Sequence, residues 1–448
     1  MPVRLPRRSI PWVYLAVGGF YLALRIWSFA GIAGHGSSFV DTVEYERVAH
    51  RSLFDSQFWL GFKPWGTPLL WKLLPGPTAT AAPVAQWLIS VAAWLTLAAV
   101  VSRALRSRPV AIAAFAIVLA FSLVPALAVW DGALLSESLT FSLGALFLAA
   151  LFVLSERPTP KSAGAAVALA FLLAMTRTSN ALVVPLFLIP VAVLVLRRRR
   201  DVAISLVVAS IAIVGIAYVH SDAHEWELPL AEVIALRVLH EPQARAYFDA
   251  RGMPDTPGLA DRIMTNRVPF PGFETAPELA SFIPWFNRSA RTTYRDFLLS
   301  HPDALIVDPI RYLPSLVTPS TSTDDLQALP LQVYEARGYR NALPSPVRRV
   351  LYFSSAALVF VCAALVLAAL LALGFTSGPR RAWIVPVLGI VTCVPHGMII
   401  FLGGATSLGR HGLFMAILLR LSVFLAALFA VDSFVASRAT RSARPASG

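Results

Sequence analysis

Long apolar runs alternate with short polar connections along most of this chain. Each run is about 20 residues long, which is what a helix needs to cross roughly 30 Å of bilayer hydrocarbon. Core helices of soluble proteins do not recur as a series of such runs. The pattern predicts ten membrane-spanning helices, over residues 11–30, 84–101, 110–129, 134–154, 162–176, 180–196, 202–219, 350–373, 382–402 and 412–433.

Two long polar segments interrupt this series, one after the first predicted helix and one after the seventh. We therefore expect an all-α polytopic membrane protein with a mostly helical soluble insertion between helices seven and eight. Its predicted parts are a seven-helix module at 1–219 with an acidic first external loop at 31–83, an extracytoplasmic domain at 220–349, helices eight to ten within 350–433, and a basic tail at 434–448.

The distribution of charged residues predicts which side of the membrane each connection faces. Only 14% of the residues are charged, against about 25% in soluble proteins. Arginines dominate every second connection between apolar runs, which is the positive-inside pattern of a membrane protein. The net charge of +13 therefore needs no nucleic-acid partner. We expect cytoplasmic N- and C-termini and an uncleaved first helix, and the basic connections hold Arg103, Arg106, Arg108, Arg157, Lys161, Arg197 to Arg200, Arg380 and Arg381.

The first external loop carries an amphipathic pattern. Over Glu44 to Phe54 the apolar residues fall on one helical face, which predicts a helix lying in the membrane interface. The segment Lys63 to Pro68 predicts a turn, and Trp65 and Trp71 suit the aromatic belt of the interface.

Carboxylates collect on the predicted external side. The large loop holds 16 of the 25 acidic residues, and six others fall in the first two external connections: Asp41, Glu44, Glu46, Asp55, Asp131 and Glu137. A carboxylate beside the membrane can deprotonate a hydroxyl group or bind a divalent cation. Asp41 is the strongest candidate, although Asp41 with Glu44 also resembles a helix capping box. The helix dipole alone explains Asp131 equally well, whereas Glu137 lies deeper than capping requires.

Four cationic or ionisable side chains complete the candidate site. Arg177, Arg410 and His411 lie at external turns, where arginine is the preferred partner of phosphate oxygens. Arg420 lies about 15 Å further along the last helix, and an ionisable group at that depth is a functional candidate. Snorkelling to the interface, or pairing with another helix, remains an alternative for these arginines.

In this order, the motifs resemble the GT-C superfamily of integral membrane glycosyltransferases. Asp41 lies early in the first external loop, Leu135-Ser136-Glu137-Ser138-Leu139 resembles the Ser-Glu turn of these enzymes, and Met175-Thr176-Arg177 resembles their later Arg turn. The resemblance covers residues 10–220 well and the rest in outline. Asp41 and Glu44 are three residues apart, whereas many members have adjacent or alternate acidic residues, so metal use stays open.

The resemblance implies transfer of a sugar from a polyprenyl-phosphate donor to an extracytoplasmic acceptor, which is a cell-envelope glycan, a lipid or a protein. It implies catalytic roles for Asp41, Glu44, Glu137 and Asp131, and donor-phosphate binding by Arg177, Arg410, His411 and Arg420. A divalent cation is a candidate cofactor. The expected location is the inner membrane of a bacterium, and the richness in alanine and arginine is typical of a GC-rich, actinobacterial genome.

Two other classes remain open. Ten helices also suit a lipid or solute transporter or flippase, although we see no repeated halves with broken helices. A non-catalytic envelope-assembly protein would instead use the surface of residues 220–349 for a partner. The sequence does not specify the sugar or the acceptor.

Overall fold

The computed structural model describes residues 12–61, 63–220, 226–266, 275–318, 338–377, 381–406 and 408–442. These residues form helices joined by turns, and the one β-type contact among them is an isolated bridge between Ser37 and Ala133. The first half contains helices α1 Trp12–Phe29, α2 Val40–His50, α3 Ser56–Leu60, α4 Gly66–Leu73, α5 Thr78–Ala104, α6 Arg108–Ser122, α7 Pro125–Ala128, α8 Glu137–Glu156, α9 Pro160–Ala174, α10 Thr178–Val183, α11 Pro185–Leu196 and α12 Arg200–His220.

The second half begins with the hydrophilic insertion and ends with three apolar segments. Its helices are α13 Glu227–Leu236, α14 Pro242–Asp249, α15 Leu259–Asn266, α16 Ile283–Trp285, α17 Arg291–Ser300, α18 Asp308–Val317, α19 Ser345–Leu351, α20 Ala356–Ser377, α21 Ile384–Val391, α22 Cys393–Leu402 and α23 Leu408–Ser442.

Eight helical segments among the described residues are long and apolar enough to cross a membrane. The fold is therefore that of a multi-pass, all-helical membrane protein. The eight segments coincide with eight of the ten predicted spans: α1, α5, α8, α10 with α11, α12, α20, α21 with α22, and α23.

The other two predicted spans differ, so the count of ten is not confirmed. The segment expected over 110–129 bends by 59° between α6 and the stretch that starts at Pro125. Val124 is extended there because a residue before proline disfavours the helical conformation. The segment expected over 162–176 is α9, which has 15 residues and reaches about 22 Å.

The polar first loop also departs from its prediction. The interfacial helix expected over Glu44–Phe54 is α2, which starts at Val40 and ends at His50. Its residues Tyr45 and Val48 are buried inside the protein. The turn expected over Lys63–Pro68 is confined to the residues before Gly66, where α4 begins.

The bundle has two ends with different polar contents. α8 is buried along almost its whole length and runs from Glu137 at one end to Glu156 at the other. We call the end with Glu137 the Asp41 face, because Asp41 lies beside it. At the opposite end, the Glu156 carboxylate accepts from the backbone N–H of Ala382, and Asp432 accepts from that of Ser107. The basic connections Arg103 to Arg108 and Arg197 to Arg200 lie at this opposite end.

The insertion has its own hydrophobic core, formed by residues between Leu230 and Phe297. α18 belongs instead to the core of the bundle, because Leu313, Leu316 and Val317 are buried there. The described part of the domain expected at 220–349 thus divides between a separate core and a helix on the bundle. The last helix, α23, continues to Ser442, into the segment expected as a tail at 434–448, and residues 443–448 lie outside the described residues.

Candidate functional site

Arg410 lies at the centre of a cluster of charged side chains on the Asp41 face. It is the third residue of α23, and only 2% of its side chain is exposed. Its Nε donates to Glu137 Oε1 over 2.5 Å, and its Nη1 donates to Asp41 Oδ2 over 2.8 Å. One guanidinium therefore joins two carboxylates that are 96 residues apart in the chain.

Asp41 is the more accessible of the two carboxylates that Arg410 joins, with 26% of its side chain exposed. It lies in the first turn of α2, where the helix dipole favours a negative charge. Lys63 Nζ approaches Asp41 Oδ1 at 3.6 Å from the turn before α4. Asp41 is not the cap of α2, because the side chain of Thr42 accepts from the Phe39 N–H that opens the helix. This cap geometry argues against the capping-box interpretation of Asp41 with Glu44. Asp41 is held by its ion pairs instead.

Glu137 is the first residue of α8 and is 2% exposed. Its Oε1 accepts from Arg177 Nη1 over 2.7 Å as well as from Arg410. Its Oε2 is buried and has no hydrogen-bond partner among the described residues. One oxygen of this carboxylate is therefore held by two arginines, while the other is left for a further donor.

Backbone hydrogen bonds hold α2 against the connection before α8. The N–H of Ser37 donates to Gly132 O over 2.9 Å, and the N–H of Leu134 donates back to Ser37 O over 3.0 Å. Thr42 Oγ1 donates to Leu134 O over 2.8 Å, and the Tyr45 phenol donates to Ser136 Oγ over 3.2 Å. These bonds fix the distance between Asp41 and Glu137.

The turns that carry Lys63 and Arg177 also touch. The N–H of Gly66 donates to Met175 O over 2.8 Å, and any side chain at position 66 would collide with that carbonyl. Glycine is therefore required for this close approach. Thr140 Oγ1 donates to Thr176 Oγ1 over 2.9 Å and ties the same turn to α8.

We call Asp41, Lys63, Glu137, Arg177 and Arg410 the Asp41 cluster. Among the described residues it joins two carboxylates to three cations, which leaves a surplus of one positive charge. Arg177 and Lys63 are 17% and 19% exposed, so the cationic edge is accessible. The arrangement favours an anionic ligand, and arginine binds phosphate oxygens particularly well.

The cations also set the ionisation of Asp41. Burial disfavours its charged form, but Lys63 and Arg410 outweigh that effect and hold the pKa of Asp41 below its usual range. The carboxylate is therefore ionised at neutral pH and, while it stays paired, is a weak base. Burial raises the pKa of the Tyr45 phenol, which stays protonated and keeps donating to Ser136.

Asp131 lies outside the Asp41 cluster and pairs with Arg25 of α1 over 2.5 Å. Ser138 Oγ donates to the second oxygen of Asp131 over 2.6 Å, and Arg25 also donates to Ser90 Oγ over 2.9 Å. Both charged side chains are almost fully buried, and we call them the Arg25 pair. Gln86 donates to the backbone carbonyls of Asp131 and Ala133, so this network holds the connection that leads to Glu137.

The remaining predicted residues take separate positions. Glu44 pairs with Arg47 on the surface of α2 over 2.8 Å. His411 follows Arg410 and is partly exposed. Arg420 donates to the carbonyls of Val317 and Phe353 and lies over the Tyr352 ring at 4.3 Å. Those carbonyls end α18 and follow α19, so Arg420 acts as a helix C-terminal cap.

A small apolar cavity of about 10 Å³ lies in the bundle close to the Asp41 cluster. Phe414 and Leu418 of α23 line it, one and two helical turns beyond Arg410. Gly144 of α8 lies on its wall, and Asn180 provides its one polar lining side chain. A space of this size holds about one water molecule, so it is too small for a hydrocarbon chain.

The residues of the cluster do not suit a divalent cation as they stand. Among the described residues, no three His, Cys, Asp or Glu side chains come together as ligands. Asp41 and Glu137 are instead compensated by Lys63, Arg177 and Arg410.

Sequence reasoning missed Lys63, Tyr45 and Arg25. Lys63 is one of three lysines and follows the interfacial helix, but the pattern around it predicts only a turn. Arg25 is a charge inside the first apolar run, and that signal alone marks it as needing a buried partner.

Comparisons with known proteins do not identify a family. No family model and no curated protein matches the chain. Among solved structures, it is similar to the archaeal oligosaccharyltransferase AglB from Archaeoglobus fulgidus, determined in complex with an inhibitory peptide and a dolichol-phosphate. The two are 13% identical with a TM-score of 0.43, and the match covers 98% of this chain and 52% of that one. This chain thus spans about half the length of AglB, and so distant a likeness does not assign an activity.

Proposed function

We propose that this protein is a membrane glycosyltransferase that moves a sugar from a polyprenyl-phosphate donor to an acceptor outside the cytoplasm. The observation that carries the proposal is the Asp41 cluster, in which three cations meet two carboxylates at one end of the helix bundle. Such a site offers both a seat for a phosphate and a carboxylate for an acceptor proton.

In this proposal the donor phosphate binds the accessible edge of the cluster. Arg177 and Lys63 lie at that edge, and Arg410 lies behind them. The phosphate supplies the negative charge that the cluster lacks.

Asp41 is the proposed general base, because it is the more open of the two carboxylates. Bound phosphate competes with Asp41 for Arg410 and Lys63, and so makes Asp41 a stronger base only when the donor is present. The acceptor hydroxyl gives its proton to Asp41, and its oxygen bonds to the anomeric carbon. The bond from that carbon to the phosphate oxygen breaks, and polyprenyl phosphate leaves with the electron pair. The configuration at the anomeric carbon is inverted.

Glu137 supports this step through the arginines. Its Oε1 holds Arg177 and Arg410 in place, and Oε2 is available to a hydroxyl of the sugar or acceptor. Asp131 acts at a distance, because its pairing with Arg25 fixes the connection before Glu137. Glu44 and Arg420 have no direct part, since both are engaged elsewhere.

The proposed orientation places the Asp41 face outside the cytoplasm. The basic connections lie at the opposite end, and the positive-inside rule assigns that end to the cytoplasm of a bacterial cell. The insertion then lies on the extracytoplasmic side, where it is available to an envelope acceptor.

The test compares Asp41→Asn with Asp55→Asn in membranes that contain equal amounts of each variant. Asp55 lies in the same polar loop, caps α3 and is 37% exposed, so it is a matched control. We expect Asp41→Asn to lower transfer of labelled sugar from polyprenyl-phosphate donors by about 10²- to 10⁴-fold, the usual contribution of a general base. Undiminished transfer by Asp41→Asn would contradict the assignment and favour a transport or assembly role.

A further inference from the structure

Side chains of the hydrophilic insertion bind the connection between α22 and α23, which leads to Arg410. This connection runs from the end of α22 to the start of α23, through Leu402-Gly403-Gly404-Ala405-Thr406. Two consecutive glycines give it little conformational preference of its own. Arg410 lies in the first turn of α23, directly after it, so the position of Arg410 depends on what holds this connection.

Arg237, the residue after α13, binds this connection through two hydrogen bonds and a ring contact. Its Nη1 donates to Phe401 O, and its Nη2 donates to Gly404 O over 2.7 Å. The guanidinium also lies over the Phe401 ring, 3.7 Å from its centroid. One planar cation thus binds two carbonyls on either side of Gly403, at the negative end of α22, where helix carbonyls lack partners.

Two further side chains of the insertion bind the same connection. Tyr294 donates its phenol to Leu402 O over 3.0 Å, and burial raises the pKa of Tyr294 to about 12, so this donor keeps its proton. Thr406 donates to the buried carboxylate of Glu232 over 2.5 Å. Ala405 packs on the core of the insertion. Every described residue from Phe401 to Thr406 except Gly403 therefore has a contact with the insertion.

We propose that Arg237 is a positioning residue that fixes the Gly403–Thr406 connection and thereby holds Arg410 against Asp41 and Glu137. The insertion, which has its own core, then sets the geometry of the Asp41 cluster through this connection. The hold of Arg237 on the connection does not depend on the proposed function. The expected change in donor binding rests on the proposed function.

The first test is hydrogen exchange of peptides covering residues 400–412 in the purified full-length protein. Arg237→Met should raise exchange there by about tenfold or more, because the connection loses its hold. Arg251→Met is the matched control: Arg251 lies in the same insertion and stacks on Tyr247 at 3.5 Å, but does not contact α22. Equal exchange in the two variants would overturn the proposal.

The second test separates positioning from a general loss of folded protein. A displaced Arg410 weakens donor binding, so Arg237→Met should raise the donor KM by about tenfold while kcat changes less. Unchanged KM with faster exchange would show that the connection does not position Arg410, which also overturns the proposal. If the wild-type protein itself transfers no sugar, the proposed function fails, and hydrogen exchange alone decides whether Arg237 holds the connection.

Gly404→Ala offers a rescue. A methyl group at position 404 would meet His411 Nδ1 at 3.8 Å and Ile400 O at 4.0 Å, which is ordinary contact. The substitution stiffens the unfolded connection, so it should restore part of the exchange protection lost in Arg237→Met. Absence of any recovery in Arg237→Met/Gly404→Ala would contradict the view that flexibility of this connection causes the defect.

Discussion

Two buried arginine–carboxylate networks lie in the same helix bundle and differ in their balance of charge. The Arg25 pair joins one cation to one carboxylate, with 1% and 2% of the side chains exposed. The Asp41 cluster includes an equally buried pair, Arg410 and Glu137, but adds Arg177, Lys63 and Asp41 at an accessible edge. Both networks therefore contain a buried ion pair. Among the described residues, the Asp41 cluster also has a surplus positive charge and an accessible edge, which the Arg25 pair lacks.

The difference distinguishes an anchor from a candidate site. Serine hydroxyls bond both members of the Arg25 pair, and its one positive and one negative charge balance, so its charges need no ligand. Arg25 Nε and Gln86 Oε1 have no hydrogen-bond partner among the described residues, so the two networks differ in charge rather than in the presence of an unsatisfied atom. The Asp41 cluster has one positive charge too many among the described residues, and an unsatisfied Glu137 Oε2. Substitutions in the first network should thus affect folding, and substitutions in the second should affect ligand binding.

The largest expected effect is on stability, at the Arg25 pair. Arg25→Met leaves Asp131 buried without its partner, which should cost about 3–5 kcal/mol because the lone charge stays desolvated. Thermal unfolding in detergent measures the change. The double variant Arg25→Met/Asp131→Leu removes both charges and should recover most of the loss, and wild-type stability of Arg25→Met alone would refute the anchor role.

A smaller effect on stability, with a clear effect on binding, is expected at Arg177. Arg177→Gln removes one partner of Glu137 but leaves Arg410, so the cost should be about 1–2 kcal/mol, less than for Arg25→Met. Donor affinity should fall by about tenfold, which corresponds to about 1.4 kcal/mol. Titration with a short-chain prenyl phosphate measures it, and Arg25→Met/Asp131→Leu should lose less affinity than Arg177→Gln. The reverse ranking of the two variants in binding would exchange the roles of the networks.

The smallest expected effect is in the pH dependence of Asp41. Its pKa is lowered in the folded protein, so its ion pairs stabilise the fold above the unfolded-state pKa of about 3.9 and are lost as pH falls through the lower folded-state pKa. The stability difference between wild type and Asp41→Asn should be constant from about pH 8 to pH 5 and shrink below about pH 4. A difference that already shrinks between pH 7 and pH 5 would be inconsistent with the lowered pKa.

Some of this comparison could be predicted from the sequence, because run length and charge are local properties. Apolar runs located eight spans, and the alternation of basic connections grouped Asp41, Glu137, Arg177 and Arg410 on one side, where they are in contact. The bend before Pro125 was missed because the apolar run continues through it, although proline is a local signal for such a break.

Other features depend on how distant helices are rotated against one another. Arg25 and Asp131 are 106 residues apart, and their pairing follows from helix packing that no local pattern encodes. The partners of Arg420 and Arg237 are backbone carbonyls, which have no sequence signature at all. For this reason the sequence named Arg420 as a phosphate ligand, while the structure places it at the ends of two helices.

The central claim is that the surplus charge of the Asp41 cluster binds the phosphate of a prenyl phosphate. The most direct measurement is the shift in thermal unfolding when a short-chain prenyl phosphate is added to the purified protein. At about 100 times its Kd, the ligand should stabilise the wild type by about 2.7 kcal/mol. Arg103→Gln, an exposed arginine at the opposite end, should show the same shift, and Lys63→Gln/Arg177→Gln should lose most of it. An equal shift in all three proteins would contradict the account.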